Sequence, residues 1–226
     1  MIGVLLIATG GTRYESFVPG IVESLKQFFP PHRVLLFGRH PNPPQGVIQL
    51  SAENYNWPRA TLMRYHMFWE HRDVLSNYHH LFYMDIDMLA KSPITSEEIC
   101  GDGITAVLHP GFVYNPIKAY CRDRRSTAFV EGNKEYYQGC FQGGSVDDYL
   151  AMCNRIRENV NIDDSNNVIP EWFDEAHLNR YLYDRPPAIT LPSTFAYPEN
   201  IESYPVLHGK EPKILHIQKH GQENWK

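Results

Sequence analysis

The chain has little cysteine, no long apolar run and no excess of basic side chains. Its four cysteines, Cys100, Cys121, Cys140 and Cys153, form no C-x-x-C pair. A disulfide framework or Cys-rich zinc module is therefore not what organises it, and a reducing, cytoplasmic setting is expected. No stretch approaches the roughly 18 apolar residues of a membrane-spanning helix. The opening Ile2-Gly3-Val4-Leu5-Leu6-Ile7-Ala8 is short, lacks a basic leader and runs into Gly10-Gly11, so it reads as a strand rather than a signal peptide. With 21 Lys and Arg against 26 Asp and Glu, the net charge of −5 argues against a nucleic-acid groove.

The remaining composition is that of a folded domain: 42% hydrophobic, 21% charged, with 14 Tyr, 11 Phe and 4 Trp. Seventeen prolines imply stiffened loops, and 226 residues suit one large α/β domain with inserted loops. Ile2 to Ala8 leads into a segment where Phe17, Ile21, Leu25 and Phe28 recur at helical spacing, a β-loop-α unit. Arg33 to Phe37 and Val47 to Leu50 read as further strands. Pro58 suits the start of a helix running to about Leu75, and His80 to Met84 is the next strand. This alternation predicts a mostly parallel sheet covered by helices, with ligands beyond the carboxyl ends of its strands. Later, Ile104 to Leu108 reads as a strand and residues 109–135, with Arg122, Arg124 and Arg125, as a functional or mobile loop. Ser145 caps a helix that Asn161 to Asn167 stops, and Pro170 starts another reaching about Tyr183. Short apolar runs follow at Ala188 to Leu191 and Lys213 to Ile217.

The sharpest chemical feature is Leu81-Phe82-Tyr83-Met84-Asp85-Ile86-Asp87, an apolar strand ending in two carboxylates that alternation puts on one side. A hard divalent cation takes oxygen ligands, and one or two carboxylates with substrate phosphates are the usual set for Mg²⁺ or Mn²⁺. Ordinary turn acids are the alternative. Aspartyl-phosphate hydrolases also carry Asp-x-Asp after a strand, but on the first strand and followed by Thr or Val; here the strand is fourth and Met88-Leu89 follows. Glu175, Leu178 and Leu182 share a helical face. A carboxylate there is desolvated unless paired, which is either a catalytic setting or a first-turn acid favoured by the helix N-terminus. Arg64, ringed by Ala60, Met63, Met67 and Phe68, calls for an acid, and Asp85 is the candidate; the alternative is an arginine that snorkels to solvent. Tyr136-Tyr137-Gln138-Gly139-Cys140-Phe141-Gln142-Gly143-Gly144 lacks the ending of a phosphate loop and reads as a bulged strand and turn, its glycines permitting close backbone approach. His216-x-x-x-His220 has zinc-like spacing, yet no cysteine or second histidine pair lies near it in sequence, so a satisfied or surface pair is the preferred reading.

Taken in order, Phe82-Tyr83-Met84-Asp85-Ile86-Asp87, Leu108-His109-Pro110-Gly111-Phe112, Tyr136-Tyr137-x-Gly139-x-Phe141-x-Gly143-Gly144 and Trp172-x-Asp174-Glu175-x-His177-Leu178-Asn179-x-Tyr181 resemble glycosyltransferase family 6, the family of the ABO transferases and α-1,3-galactosyltransferases. The resemblance implies a GT-A fold: α/β, with a Rossmann-like mixed sheet flanked by helices. It implies one catalytic domain over 1–226, with a nucleotide-binding half over about 1–90 and an acceptor-binding half and tail over about 91–226. The implied reaction is retaining α-1,3 transfer of galactose or N-acetylgalactosamine from UDP to a β-galactoside. Asp85 and Asp87 would hold Mn²⁺, or Mg²⁺, against the diphosphate. Glu175 would lie beneath the anomeric carbon as nucleophile or stabiliser of an oxocarbenium-like state, with Asp174 and Arg64 on the donor sugar. Ile7, Ala8 and Thr9 correspond to the uracil edge, Gln138, Gly139 and Cys140 to the strand that sets donor choice, and His109 and Trp172, with Glu175, to the acceptor site. Lys219 and Lys226 are the cations of a tail that closes over the diphosphate in relatives. Phe173 and Ala176 stand where relatives carry His and Ser. Cys140, larger than glycine, leaves less room for an N-acetyl group and leans the donor toward UDP-galactose. The membrane anchor and stem of mammalian members are not seen, so the short, soluble microbial or viral type is expected. A nucleotide-sugar or glycan-binding module without turnover is the competing reading.

Overall fold

The computed structural model describes residues 1–9 and 11–217. Strand β1 (Ile2–Ala8) is apolar throughout because the sheet is covered on both sides. Val4, Leu6 and Ala8 face one core with helix α2 (Val18–Phe28), which follows the single turn α1 (Thr12–Glu15). Leu5 faces the other core, alongside Tyr65, Phe68 and Tyr149. Strands β2 (His32–Gly38) and β3 (Ile48–Leu50) extend the sheet in parallel on one side of β1, and β4 (His80–Met84) pairs parallel on the other. The chain therefore reverses its direction of growth between β1 and β4, and the crevice beyond their carboxyl ends is where an α/β sheet takes a ligand.

The expected helix from Pro58 to Leu75 is three short ones, α3 (Arg59–Leu62), α4 (Arg64–Glu70) and α5 (Arg72–Leu75). The chain breaks at Met63, one residue before the buried Arg64, and at His71, whose Nδ1 lies 3.0 Å from the Met67 carbonyl and shares an acceptor with the helix ladder. After β4 come β5 (Met88–Ala90), the turn α6 (Ser96–Ile99), capped by Thr95 with Glu98 in a reciprocal box, and β6 (Ile104–Leu108). Strand β7 (Tyr137–Ser145) runs antiparallel between β4 and β6. Its partners on β6 shift abruptly: Ala106 faces Gln142 while Val107 faces Gln138, so residues 139–141 bulge out of the β6–β7 ladder, although Phe141 keeps its pairing with Met84 on β4.

Helix α7 (Val146–Ser165) starts at Ser145, whose Oγ accepts from the Asp148 N–H, and ends before a left-handed Asn167. Helix α8 (Phe173–Asp184) begins three residues later than Pro170 suggests, because Pro170 to Phe173 closes a separate turn. Strand β8 (Ile189–Leu191) ends the seven-stranded mixed sheet, ordered β3-β2-β1-β4-β7-β6-β8, and the layering is that of a GT-A type fold. A second sheet, β5-β10-β9, sets β10 (Ile214–His216) between β5 and β9 (Tyr197–Pro198).

The 109–135 loop is docked rather than loose. Ala119, Tyr120, Val130 and Tyr136 make a small core with Phe112 and Tyr183. The buried carboxylate of Asp163 on α7 accepts from the Thr127 N–H at 2.7 Å and from the Ser126 hydroxyl. Its arginines serve the loop itself: Arg122 donates to the Val130 and Ile117 carbonyls, while Arg124 and Arg125 pair with Glu131 and Asp123. Among the described residues no helix is long and apolar enough to cross a membrane.

Two glycines predict opposite outcomes. A Cβ at Gly143 on β7 would sit 2.2 Å from Phe82 Cδ1 and 2.4 Å from the Leu81 carbonyl oxygen, whereas at Gly20 inside α2 it meets only Leu89 at 3.7 Å. Gly143→Ala should destabilise by about 3 kcal/mol or more through overpacking, and Gly20→Ala should stabilise by about 0.5–1 kcal/mol, as read by chemical denaturation. Equal and small effects at both positions would contradict the packing of β7 on β4.

Candidate active site

Two neighbouring cavities open beyond the carboxyl ends of β1 and β4. The larger, about 460 Å³, is bordered by Ile7, Thr9, Tyr55, Trp57, Thr61 and Asp87 among others. The smaller, about 250 Å³, is bordered by His109, Gln138, Cys140, Trp172, Asp174 and Glu175. Arg64 and Asp85 border both. Thus Ile7 and Thr9 reach the larger cavity, while the Ala8 side chain belongs to the core beneath it. Lys219, Lys226 and His220 lie outside the described residues.

Arg64, at the start of α4 and only 7% exposed, makes the central contacts. Its Nη1 donates to the Gly139 carbonyl at 3.0 Å, its Nε lies 3.2 Å from Asp174 Oδ2, and its Nη2 lies 3.7 Å from Asp85 Oδ1. The guanidinium also sits 4.4 Å from the centre of the Tyr83 ring, whose hydroxyl donates to Asp85 Oδ1. Burial opposes the charge on Arg64, but Asp174, Tyr83 and Asp85 outweigh it and hold the group protonated.

Asp85 and Asp87 converge by a turn, not by strand alternation. Strand β4 ends at Met84, the Asp85 N–H is bound to the Cys140 carbonyl at 2.8 Å, and the Met88 N–H closes back on the Asp85 carbonyl at 3.2 Å. Asp85 stays partly exposed, whereas Asp87 is buried beside His216, whose Nε2 lies 3.2 Å from Asp87 Oδ2. One ligand atom from each of Asp85, Asp87 and His216 lies within 4.8 Å of the others. Two carboxylates and an imidazole are a donor set that fits a divalent cation.

The bulge of β7 brings Gly139 against α8. Its N–H donates to Glu175 Oε2 at 2.8 Å, and a Cβ there would lie 3.6 Å from both Asp174 Oδ2 and Glu175 Oε2, so glycine keeps the gap between the two carboxylates open. Phe173 takes a left-handed φ of 47° and packs edge-on against Trp57, centroids 5.0 Å apart. The turn leaves Trp172 exposed and Asp174 buried at the first turn of α8. Ala176 faces away, packed with Cys121 and Ala128 under the docked loop. Burial pushes the Glu175 carboxyl up to about 8; the Gly139 N–H pulls it down, and Asp174 adds to the rise. Asp174 is also displaced upward by burial, against the pull of Arg64. Burial pushes His109 down to about 4, so its imidazole is neutral near pH 7. That ring rests 4.6 Å from Phe112, which in turn stands 6.2 Å from Trp172.

Three residues in this network were not singled out for it by sequence pattern. Tyr83 lies two positions before Asp85, and strand alternation could have found it. Gln142 is fully buried on β7, donating to the Tyr65 hydroxyl at 2.9 Å and to the Gly139 carbonyl at 3.4 Å; an amide in a glycine-rich strand, shared with Gln138, was its only signal. His216 was visible only as half of a spaced histidine pair.

The model of the family described as Glycosyltransferase family 6 matches residues 42–222. The chain is 27% identical over 224 residues to the globoside alpha-1,3-N-acetylgalactosaminyltransferase 1 of Canis lupus familiaris, covering 91% of this chain and 63% of that protein. It is 26% identical over 218 residues to the O-antigen biosynthesis glycosyltransferase WbnI of Escherichia coli, covering 93% and 87%. It is 25% identical over 223 residues to the histo-blood group ABO system transferase 2 of Rattus norvegicus, covering 88% and 64%. The chain thus spans a little under two thirds of the length of these mammalian relatives.

Because the folded state raises the Glu175 pKa from the ordinary 4.5 to about 8, the folded protein prefers this carboxyl protonated. Wild-type stability at this position is therefore full below about 4.5 and is lost as pH rises toward about 8. The melting temperature of Glu175→Gln relative to wild type should climb across that window and level off above it. A difference that does not change with pH would contradict the burial of this carboxyl.

Proposed function

The chain belongs to glycosyltransferase family 6, and from that premise we propose that it is a retaining α-1,3-glycosyltransferase that moves galactose or N-acetylgalactosamine from a UDP-sugar to a β-galactoside. The observation that carries the reading is the pair of adjoining cavities sharing Arg64 and Asp85, one reaching the Asp-x-Asp turn and the other Glu175. A donor lying across both would place its nucleoside diphosphate in the larger cavity, uracil toward Ile7 and Thr9, and its sugar beside Gly139. In this reading residues about 1–90 serve mainly the nucleotide and the remainder the acceptor, with Arg64 and Asp85 bordering both cavities.

Asp85 and Asp87 would hold the divalent ion, Mn²⁺ or Mg²⁺. That ion, when bound, supplies positive charge to the leaving diphosphate. Arg64 and Asp174 orient the donor sugar, and the bond from the Gly139 N–H holds Glu175 toward the anomeric carbon, where it acts as nucleophile or as stabiliser of the developing cation. Neutral His109 is suited to exchange a hydrogen bond with an acceptor hydroxyl, and Trp172 offers an exposed ring on which the apolar face of a galactose packs. Cys140 borders the sugar side and supports a preference for galactose, although one relative is named an N-acetylgalactosaminyltransferase. The tail cations Lys219 and Lys226 are assigned to the diphosphate by resemblance alone.

Mixing the protein with Mn²⁺, UDP-galactose or UDP-N-acetylgalactosamine, and lactose should release UDP and form an α-1,3 product identifiable by NMR. Asp87→Asn and Glu175→Gln should each lower kcat by about 100-fold or more, in line with the loss of a group that acts on transition-state charge. Saturable UDP binding with no product from any galactoside, or full activity in EDTA, would overturn the enzymatic or the metal-dependent part respectively.

A further inference from the structure

The second sheet, β5-β10-β9, has one consequence for the site: it delivers His216. The residue stands opposite Met88 in the antiparallel β5–β10 pair, one position beyond Asp87. The Ile217 N–H donates to the Asp87 carbonyl at 2.9 Å, and the Glu199 N–H donates to the His216 carbonyl at 3.1 Å. The first bond ties the backbone after the ring to the Asp-x-Asp turn, and the second ties it to the chain that follows β9. The imidazole is partly buried, its Nε2 3.2 Å from Asp87 Oδ2, and the nearest donor atoms of Asp85, Asp87 and His216 lie within 4.8 Å of one another. Ligands at about 2.1 Å from one ion stand roughly 3–4.3 Å apart, so shifts of a fraction of an ångström complete a three-point site.

We infer that His216 is a direct third ligand of the divalent ion, so that this site takes an imidazole as well as two carboxylates and favours a transition-metal ion such as Mn²⁺ over Mg²⁺ or Ca²⁺. This rests on the metal-dependent reading of Asp85 and Asp87. The chemical reason is ligand type: carboxylate, phosphate and water oxygens serve Mg²⁺ and Ca²⁺ well, whereas an imidazole nitrogen adds affinity mainly for borderline first-row ions. A histidine that merely bonded to Asp87 would support the carboxylate without changing which ion is preferred.

The test uses the full chain with Mn²⁺ and saturating UDP, read by pulsed EPR and by metal titration. Wild type should show ³¹P coupling from the diphosphate together with ¹⁴N coupling from a directly bound imidazole, converted to ¹⁵N coupling when the histidines are ¹⁵N-labelled. The labelled wild type keeps the test independent of whether any variant folds. In His216→Gln the nitrogen coupling should vanish and the Mn²⁺ dissociation constant rise about tenfold or more, while that for Mg²⁺ changes by less than about twofold. Phosphorus coupling without nitrogen coupling in wild type would overturn the role of His216 and leave the Asp85–Asp87 site standing. Failure of Mn²⁺ to bind wild type at all would remove both.

Discussion

The buried guanidinium of Arg64 is the interaction on which the rest of the site depends. A charge taken out of water is tolerated only if it is paired and hydrogen-bonded, and the partners here come from three distant stretches of chain: Asp85 after β4, the Gly139 carbonyl in the bulge of β7, and Asp174 on α8. Tyr83 completes the enclosure with its ring. Removing any one partner would leave polar groups stranded, so the positions of the turn, the bulge and the helix start are mutually constrained. The break at Met63 fits the same demand, since it lies immediately before the arginine that must turn inward.

Around that centre the glycines divide their work. Gly143 and Gly144 let β7 lie flat against β4 and β6, where a Cβ would strike backbone on either side. Gly139 keeps open the space between Asp174 and Glu175. The aromatic richness also divides: Phe82, Phe141 and Phe195 stack inside the core, whereas Trp172 and Trp57 stay exposed beside the cavities. Under the proposed function, a net charge of −5 is compatible with an anionic donor because Asp85 and Asp174 are countered locally by Arg64, and Asp85 and Asp87 by a bound cation.

Much of this was legible in the sequence. Strands β1, β2, β4, β6 and the long α7 follow from continuous apolar runs, helical spacing and the Ser145 cap, and the pairing of Arg64 with Asp85 follows from a cation on an apolar face. What escaped was decided by long-range contact. Strands of two or three residues such as β5 and β9 carry no periodicity of their own. The 109–135 stretch reads as a functional or mobile polar loop, and the buried Asp163, 37 and 36 residues further along the chain, anchors it through Ser126 and Thr127. His216 acquires its neighbours only through the β5–β10 register, and no local pattern encodes a pairing across so long a separation.

The most direct measurement is a double-mutant cycle on Arg64 and Asp174, with stability read by equilibrium unfolding of Arg64→Met, Asp174→Asn and the double variant. Breaking a buried pair from one side costs about 3–5 kcal/mol, because the remaining charge is left without its partner. If Arg64 is the buried charge that ties the two halves of the site together, the double variant should lose about 1–3 kcal/mol less than the sum of the single losses. Losses that add to within about 0.5 kcal/mol would contradict it.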